Sequence, residues 1–272
     1  MSWLNDWRRC FCEWVGVGAF LIGCRPISSP VREKPPQEPT TPSVLLSAED
    51  PFVAWERRRE EVAALLGEKV FRLEVKVRYK YGHETYRGTA WLWDSEGYVV
   101  TCRHLIPSSP AWVEVELWDR SGSCRPAQVL WWDSLVDVVF LRSAGLEGEG
   151  LPLAEEKPSI GEGVFSVGAP WGLLGTLQEG FVSGEERYIE TSPGKRLPFL
   201  QLSLPAQPGS SGSPVVDKRG RVCGMISDIA SISGTYEGIA FAIPAQLLQE
   251  VWGRYRRFAL GYDTAGARTS DK

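Results

Sequence analysis

The sequence has only two histidines, His83 and His104, in 272 residues. Any mechanism that requires an imidazole must therefore use one of these two side chains. The sequence also lacks a long basic run, apart from Arg254–Arg257, and its formal net charge is -4. Nucleic-acid-binding domains usually carry a clustered basic surface. The composition therefore predicts no nucleic acid among the partners, and His83, in a short glycine turn, is expected to be an exposed hairpin residue.

The apolar run near the N-terminus, Trp14–Gly23, is too short to span a bilayer alone but has the length of the apolar core of a signal peptide. It follows Arg8 and Arg9 and ends in Leu-Ile-Gly before Cys24, a pattern that resembles a bacterial lipoprotein signal. We therefore expect residues 1–24 to be a signal and anchor with Cys24 as the lipid (palmitate) attachment site. The chain would then be exported and membrane-anchored, on the periplasmic or cell-surface side of a bacterial envelope. An uncleaved anchor, an ordinary signal peptide and a cytosolic helix are the alternatives.

The cysteines are too few to form a disulfide framework. If Cys10 and Cys12 leave with the signal and Cys24 carries lipid, an odd number remains, namely Cys102, Cys124 and Cys223. At most one pair could form in an oxidising compartment, and the sequence does not say which.

A proline-rich stretch separates the signal from the rest of the chain. From Arg25 to about Ser47 the composition shifts to Pro, Ser, Thr, Glu and Gln, with six prolines within seventeen residues. Such a segment cannot bury enough apolar surface to become ordered. We therefore expect 25–47 to be an extended linker, 48–262 to be the folded domain and 263–272 to be a disordered tail.

Two helices and about a dozen short strands are predicted for the folded domain. One helix begins near Ser47 and ends at Gly67, and the other covers Pro244–Phe258, where proline opens the first turn. Between them, short β-branched and aromatic runs, such as Val70–Tyr79, Gly163–Gly168 and Gly180–Glu185, are separated by Gly, Pro, Asp and Ser. This pattern is typical of an all-β barrel or sandwich. The two halves contain similar numbers of strands, which favours two packed barrels. Six tryptophans fall in these runs and are expected to pack in the core: Trp91, Trp93, Trp112, Trp118, Trp131 and Trp132.

The segment Pro208–Pro214 has the composition of a nucleophile turn. Gly209 and Gly212 flank Ser211, and glycines permit the tight backbone turn that exposes a serine hydroxyl next to backbone N–H groups. A Gly/Ser turn between strands is often no more than a loop, so this motif alone does not define a site.

Two other segments supply the partners that a serine nucleophile needs. His104 comes directly after an apolar strand, and Asp137 comes at the start of another. A carboxylate in that position can orient the imidazole, which then acts as the base for the serine. Each residue alone is equally consistent with a strand-end histidine or a strand cap, but the three together in the order His, Asp, Ser favour a catalytic triad.

In these segments the sequence resembles the trypsin-like serine proteases, and specifically the HtrA/Deg group. The resemblance runs from Val70 to the C-terminal helix and includes Ile160–Gly172, Gly180–Ser183, Leu200–Ser203 and Gly238–Pro244. It implies an all-β, chymotrypsin-like double six-stranded β-barrel with a helix near each end. It also implies a cofactor-free serine endopeptidase that cleaves unfolded or loosely folded polypeptides in envelope protein quality control, and a homotrimer.

The resemblance assigns a role to each candidate site residue. It makes His104 the general base, Asp137 the residue that orients it, and Ser211 the nucleophile, with the backbone N–H groups of Gly209 and Ser211 as the oxyanion hole. It also implies an apolar specificity pocket lined by Pro205, Ala206, Ile226, Ser227 and Ala240. Asp228 is close in sequence to one wall and would favour basic substrates if it pointed inward.

The sequence departs from the group in two respects. Ser210 and Ser213 stand where the group has Asn or Asp and Gly, which we expect to be tolerated because backbone groups form the oxyanion hole. Only about fourteen residues follow the last predicted helix, so no PDZ domain is expected.

Three other interpretations of these residues compete with a serine protease. In an α/β-hydrolase the histidine follows the serine and glycine stands two residues after the nucleophile, whereas here both histidines precede Ser211 and position 213 is serine. A metal site of Cys102, His104, Cys124 and Cys223 matches no zinc spacing, so no metal is predicted. The remaining alternative is a catalytically silent, membrane-anchored module that uses the protease fold for binding or scaffolding.

Overall fold

The computed structural model describes residues 50–107, 112–227 and 238–261. The predicted signal with Cys24, the proline-rich linker, Asp228 and the tail 263–272 lie outside these ranges. Within them, no helix combines the length and the apolar character needed to cross a membrane.

The first half of the domain is a closed barrel of six antiparallel strands in the order β1-β2-β3-β6-β5-β4. The strands of this barrel are β1 (Val70–Tyr79), β2 (Gly82–Leu92), β3 (Tyr98–Thr101), β4 (Trp112–Trp118), β5 (Cys124–Trp132) and β6 (Val139–Arg142). Trp91 and Phe140 are fully buried inside it. Trp112 was expected to pack in the core, but it is 43% exposed at the start of β4.

The second half repeats this architecture, with the strand order β10-β11-β12-β9-β8-β7. Its strands are β7 (Gly163–Gly168), β8 (Thr176–Ser192), β9 (Lys195–Ser203), β10 (Pro214–Asp217), β11 (Val222–Ile226) and β12 (Ala240–Pro244). The predicted all-β fold of two six-stranded barrels is therefore confirmed.

The hairpin of β8 and β9 is longer than the sequence indicated. We expected a short strand over Gly180–Glu185, but β8 continues to Ser192 and pairs with β9 as far as Lys195. The pairing of the two strands has three register shifts, and its outer part carries mostly partly exposed or exposed side chains. A segment with little buried surface lacks the alternation of polar and apolar residues by which a strand is recognised.

Helix α1 (Pro51–Lys69) precedes the first barrel but packs on the second. Asp50 caps it by accepting a hydrogen bond from the Phe52 N–H at 2.8 Å, and Pro51 occupies the first turn. The ring of Trp55 lies 5.2 Å from that of Phe165 in β7, and its indole N–H donates to Glu179 in β8 at 2.8 Å.

Helix α2 (Ala245–Ala259) follows the second barrel but packs on the first as well as on the strands that precede it. The ring of Trp252 lies 4.8 Å from that of Phe140 and 5.1 Å from that of Tyr98, and it also contacts Trp93 at 5.5 Å. Each helix thus contacts the barrel farther from it in sequence, and together they tie the two barrels into one unit.

Candidate active site

The carboxylate of Asp137 contacts His104 at two points. Asp137 Oδ1 accepts a hydrogen bond from the His104 backbone N–H at 2.8 Å, and Oδ2 lies 2.7 Å from His104 Nδ1. His104 lies in a 3-10 turn directly after β3, and Asp137 lies just before β6, the strand paired with β3. With the carboxylate ionised, Nδ1 carries the ring proton, and the lone pair of Nε2 is left to accept another proton. The His104 side chain is 25% exposed and the Asp137 side chain only 5%.

Ser227 also contacts Asp137, which the sequence did not indicate. Its hydroxyl donates to Asp137 Oδ2 at 2.7 Å, although the two residues are 90 positions apart. We expected Ser227 only as part of a pocket wall; the structure directs its hydroxyl toward the carboxylate. No local signal distinguishes this serine from others at strand ends.

The end of β11 brings Ser211 close to the histidine segment. The carbonyl oxygen of Ile226 accepts a hydrogen bond from Gly212 N at 2.8 Å and another from Cys102 Sγ at 3.2 Å. Gly212 directly follows Ser211, and Cys102 stands two residues before His104. Because Ser227 in turn contacts Asp137, the end of β11 links the turn that carries Ser211 to the segments that carry His104 and Asp137.

The turn that carries Ser211 leaves two backbone N–H groups available. The Ser210 N–H donates to Gln207 O at 2.8 Å, and the Ser210 hydroxyl accepts from Gln207 N at 3.1 Å, so the turn is closed locally. The N–H groups of Gly209 and Ser211, by contrast, have no acceptor within 50–107, 112–227 and 238–261. Two unpaired donors on either side of a closed turn can stabilise a negatively charged oxygen.

Glycine is required on both sides of Ser211. Gly209 has φ +98°, and a Cβ there would lie 2.4 Å from Ala169 O. Gly212 has φ +87°, and a Cβ there would lie 2.0 Å from Thr89 O. A larger residue at either position would displace the turn.

The Pro208–Gly209 peptide is oriented from the loop that follows β7. The N–H of Trp171 donates to Pro208 O at 2.7 Å. In a trans peptide the carbonyl and the N–H point in opposite directions, so this bond directs the Gly209 N–H away from Trp171. Trp171 has φ 55°, an uncommon conformation for a bulky residue.

The predicted pocket residues differ in their burial. Ile226, Ser227 and Ala240 are buried, Ala206 is half-buried and Pro205 is exposed. The carbonyl of Pro205 accepts a hydrogen bond from the side-chain amide of Gln178, a buried residue of β8.

The cysteines are divided between the site and the rest of the domain. Cys102 Sγ, a ring nitrogen of His104 and a carboxylate oxygen of Asp137 all lie within 4.8 Å of one another. Cys124 and Cys223 are outside this cluster: Cys124 is an exposed thiol at the start of β5, and Cys223 is a buried thiol in β11. Burial raises the pKa of Cys223 to about 12.

Two closed six-stranded barrels, a contact between a histidine and an aspartate, and a serine turn flanked by glycines are typical of the class of trypsin-like serine peptidases. A family model described as trypsin-like peptidase domain matches residues 88–225, half of the chain, and the chain belongs to this family. The domain is also similar to HtrA-type proteases of known structure. It superposes on "HtrA-type protease AlgW with tripeptide" with a TM-score of 0.63, at 24% identity, over 74% of this chain and 64% of that one, a likeness of fold.

The chain is also similar to curated serine endoproteases. The chain is 31% identical over 174 residues to "Probable periplasmic serine endoprotease DegP-like" of Pseudomonas putida (strain GB-1), covering 62% of this chain and 35% of the relative. It is 33% identical over 175 residues to the protein of that name from Brucella suis biovar 1 (strain 1330), covering 62% of this chain and 33% of the relative. The chain thus spans about a third of the length of the relatives that it matches.

Proposed function

We propose that this chain is a serine endopeptidase in which Ser211 is the nucleophile, His104 the general base and Asp137 the residue that orients and stabilises the imidazole. The observation that carries the proposal is the two-point contact between Asp137 and His104. It holds the ring in one orientation and one tautomer, which is what proton transfer from a serine hydroxyl requires.

The reaction would proceed through an acyl-enzyme. Ser211 Oγ attacks the carbonyl carbon of the scissile bond, and its proton passes to His104 Nε2. The N–H groups of Gly209 and Ser211 donate to the oxyanion that forms, and the ionised Asp137 stabilises the imidazolium. The same proton then passes to the leaving amine, and water, activated by the neutral imidazole, hydrolyses the ester.

The substrates and setting follow from the family relationship. The relatives are named as periplasmic serine endoproteases, which supports an exported enzyme. The proposal extends to cleavage of unfolded or loosely folded polypeptides in envelope quality control, to lipid attachment at Cys24 and to a homotrimer. Detergent partitioning together with mass spectrometry of the mature N-terminus tests the anchor. An unmodified N-terminus that begins elsewhere would refute it.

Labelling with a fluorophosphonate probe tests the nucleophile directly. Wild-type protein should react at Ser211 and cleave casein, whereas Ser211→Ala and His104→Ala should each lose at least about a thousandfold in turnover. Ser213→Ala is the matched control, because this buried neighbour in the same turn makes no side-chain hydrogen bond in the described part of the chain. If Ser211→Ala cleaves casein at the wild-type rate, the assignment is wrong. A protein that folds but is neither labelled nor active would instead be the silent binding module.

A further inference from the structure

Cys102 places a thiol beside the Asp137–His104 pair. Its side chain is fully buried, two residues before His104, at the end of β3. The three candidate ligand atoms, Cys102 Sγ, a His104 ring nitrogen and an Asp137 oxygen, are within 4.8 Å of one another. Nδ1 is the ring nitrogen that faces the carboxylate, at 2.7 Å. Thiolate, imidazole and carboxylate are the three ligand types that zinc takes in proteins.

We propose that Cys102, His104 and Asp137 form an inhibitory site for Zn²⁺ and similar thiophilic divalent cations. A tetrahedral zinc with bonds of about 2.0 to 2.3 Å holds its ligand atoms roughly 3.3 to 3.7 Å apart. The distance between His104 Nδ1 and Asp137 Oδ2 must therefore increase by about half an ångström. Cys102 Sγ must move about one ångström closer to these two atoms. Of the three ligands only the His104 side chain is substantially exposed, at 25%, so the metal must enter past this ring, and a water molecule fills the fourth position.

The charges of the three ligands suit a buried dication. A thiolate and a carboxylate together neutralise Zn²⁺, and a neutral imidazole adds no further charge. A site with no net charge avoids most of the cost of burying an ion in an apolar core. On binding, the Cys102 thiol releases its proton to solvent and gives up its hydrogen bond to Ile226 O, while Asp137 stays ionised.

Occupancy of this site would inactivate the peptidase. The metal takes the lone pair of Nδ1, so the ring proton moves from Nδ1 to Nε2. A protonated Nε2 cannot accept the proton of Ser211, and the nucleophile is no longer activated. This consequence rests on the proposed function, whereas the metal site itself does not.

Binding of Co²⁺ tests the site independently of catalysis. In reduced full-length protein, thiolate coordination gives a ligand-to-metal charge-transfer band, and this band should persist in Ser211→Ala. Cys102→Ala should bind one equivalent of Co²⁺ fewer than wild type. Cys102→Ser is a nearly isosteric second variant, and its far-UV circular dichroism checks that the fold is kept. Cys124→Ala and Cys223→Ala are matched controls and should bind as wild type does. Cys10, Cys12 and Cys24 can also bind Co²⁺. The proposed site is therefore measured as the difference in bound Co²⁺ between wild type and each variant.

Inhibition by Zn²⁺ tests the consequence. Each protein's rate is normalised to its own metal-free rate. Wild type should lose at least about tenfold in rate at saturating Zn²⁺ and recover on addition of EDTA, whereas Cys102→Ala and Cys102→Ser should need a zinc concentration at least about tenfold higher for the same loss. The site is refuted if the cobalt band and stoichiometry are unchanged in both Cys102 variants. Its inhibitory role is refuted if Zn²⁺ inhibits both variants and wild type alike. If the Cys102 variants bind one equivalent of Co²⁺ fewer but wild type has no peptidase activity, the site is supported and the proposed function is refuted.

Discussion

The hydroxyl of Thr89 donates a hydrogen bond to the carbonyl oxygen of Gly209 at 2.8 Å, although the two residues are 120 positions apart and belong to different barrels. The same hydroxyl accepts the N–H of Ala169 at 2.9 Å, and the Thr89 N–H donates to Ser211 O, also at 2.9 Å. One residue of β2 therefore fixes the backbone on both sides of the nucleophile. The turn that carries Gly209 and Ser211 is therefore held by the first barrel as well as by the second.

The first prediction follows from this contact. Thr89→Val keeps the shape of the side chain but leaves Gly209 O and Ala169 N without their partner, which should destabilise the fold by about 1 to 3 kcal/mol. Displacement of the oxyanion donors should lower kcat by roughly 10- to 100-fold with little change in KM. Thr89→Ser, which keeps the hydroxyl, should recover most of this loss. Steady-state kinetics with a peptide substrate measures both constants. Equal kcat for Thr89→Val and wild type would contradict a positioning role.

The second prediction is that no zymogen cleavage is needed. In trypsin-type zymogens an aspartate before the nucleophile receives a newly freed N-terminal amine, and that position is Ser210 here. Its hydroxyl accepts the N–H of Gln207 within the same turn, so a terminal amine has no carboxylate to join. Protein that begins near Ser47 behind an uncleaved tag should be as active as protein from which the tag has been removed. Activity that appears only after tag removal would show that a processed N-terminus is required.

The third prediction concerns specificity. The proposed pocket residues Ile226 and Ala240 are buried and apolar, and Pro205 stands where a pocket for Lys or Arg would have a carboxylate. A buried cationic head without a partner would cost several kcal/mol, which corresponds to about a hundredfold discrimination or more. Profiling of cleavage sites in a denatured proteome should therefore show Val, Ala, Ile or Leu on the acyl side. Enrichment of Arg and Lys that disappears in Asp228→Ala would show that the carboxylate enters the pocket.

The fourth prediction concerns the C-terminal helix. Trp252 is partly buried among aromatic rings of the first barrel, so Trp252→Ala should lower the free energy of unfolding by about 2 to 4 kcal/mol. Leu260→Ala, at the exposed end of the same helix, is the control and should change it by less than about 1 kcal/mol. Urea titration followed by tryptophan fluorescence and circular dichroism measures both. Similar values for the two variants would mean that the aromatic contacts contribute little.

The strands and the candidate triad residues were both predictable because each leaves a local signal in the sequence. The strands Val70–Tyr79 and Gly163–Gly168 were predicted with the bounds that the structure shows, because β-branched and aromatic runs between turn residues are local signals. The residues His104, Asp137 and Ser211 each stand at a strand end or a tight turn, which is again visible locally.

The supporting contacts were not predictable because they depend on how the barrels meet. Nothing in the sequence around Thr89 or Ser227 connects either residue with a partner about a hundred positions away. The sequence offers Cys102 as a ligand only together with His104, Cys124 and Cys223, since spacing along the chain does not reveal which residues lie beside Asp137. Side-chain partners across an interface become known only once the register of both barrels is known.

The crossed packing of the two helices bears on how the protein is made. Ribosomes synthesise the chain from its N-terminus, so α2 emerges after all twelve described strands. Until then the aromatic face of the first barrel around Phe140 and Tyr98 lacks its cover, and a nascent chain would expose it to chaperones. Contacts between the barrels, such as that of Thr89 with Gly209, can form once the second barrel is made, and the contacts of α2 are added last. A chain that stops before residue 211 would hold His104 and Asp137 without the proposed nucleophile, and it could not cut itself or its neighbours.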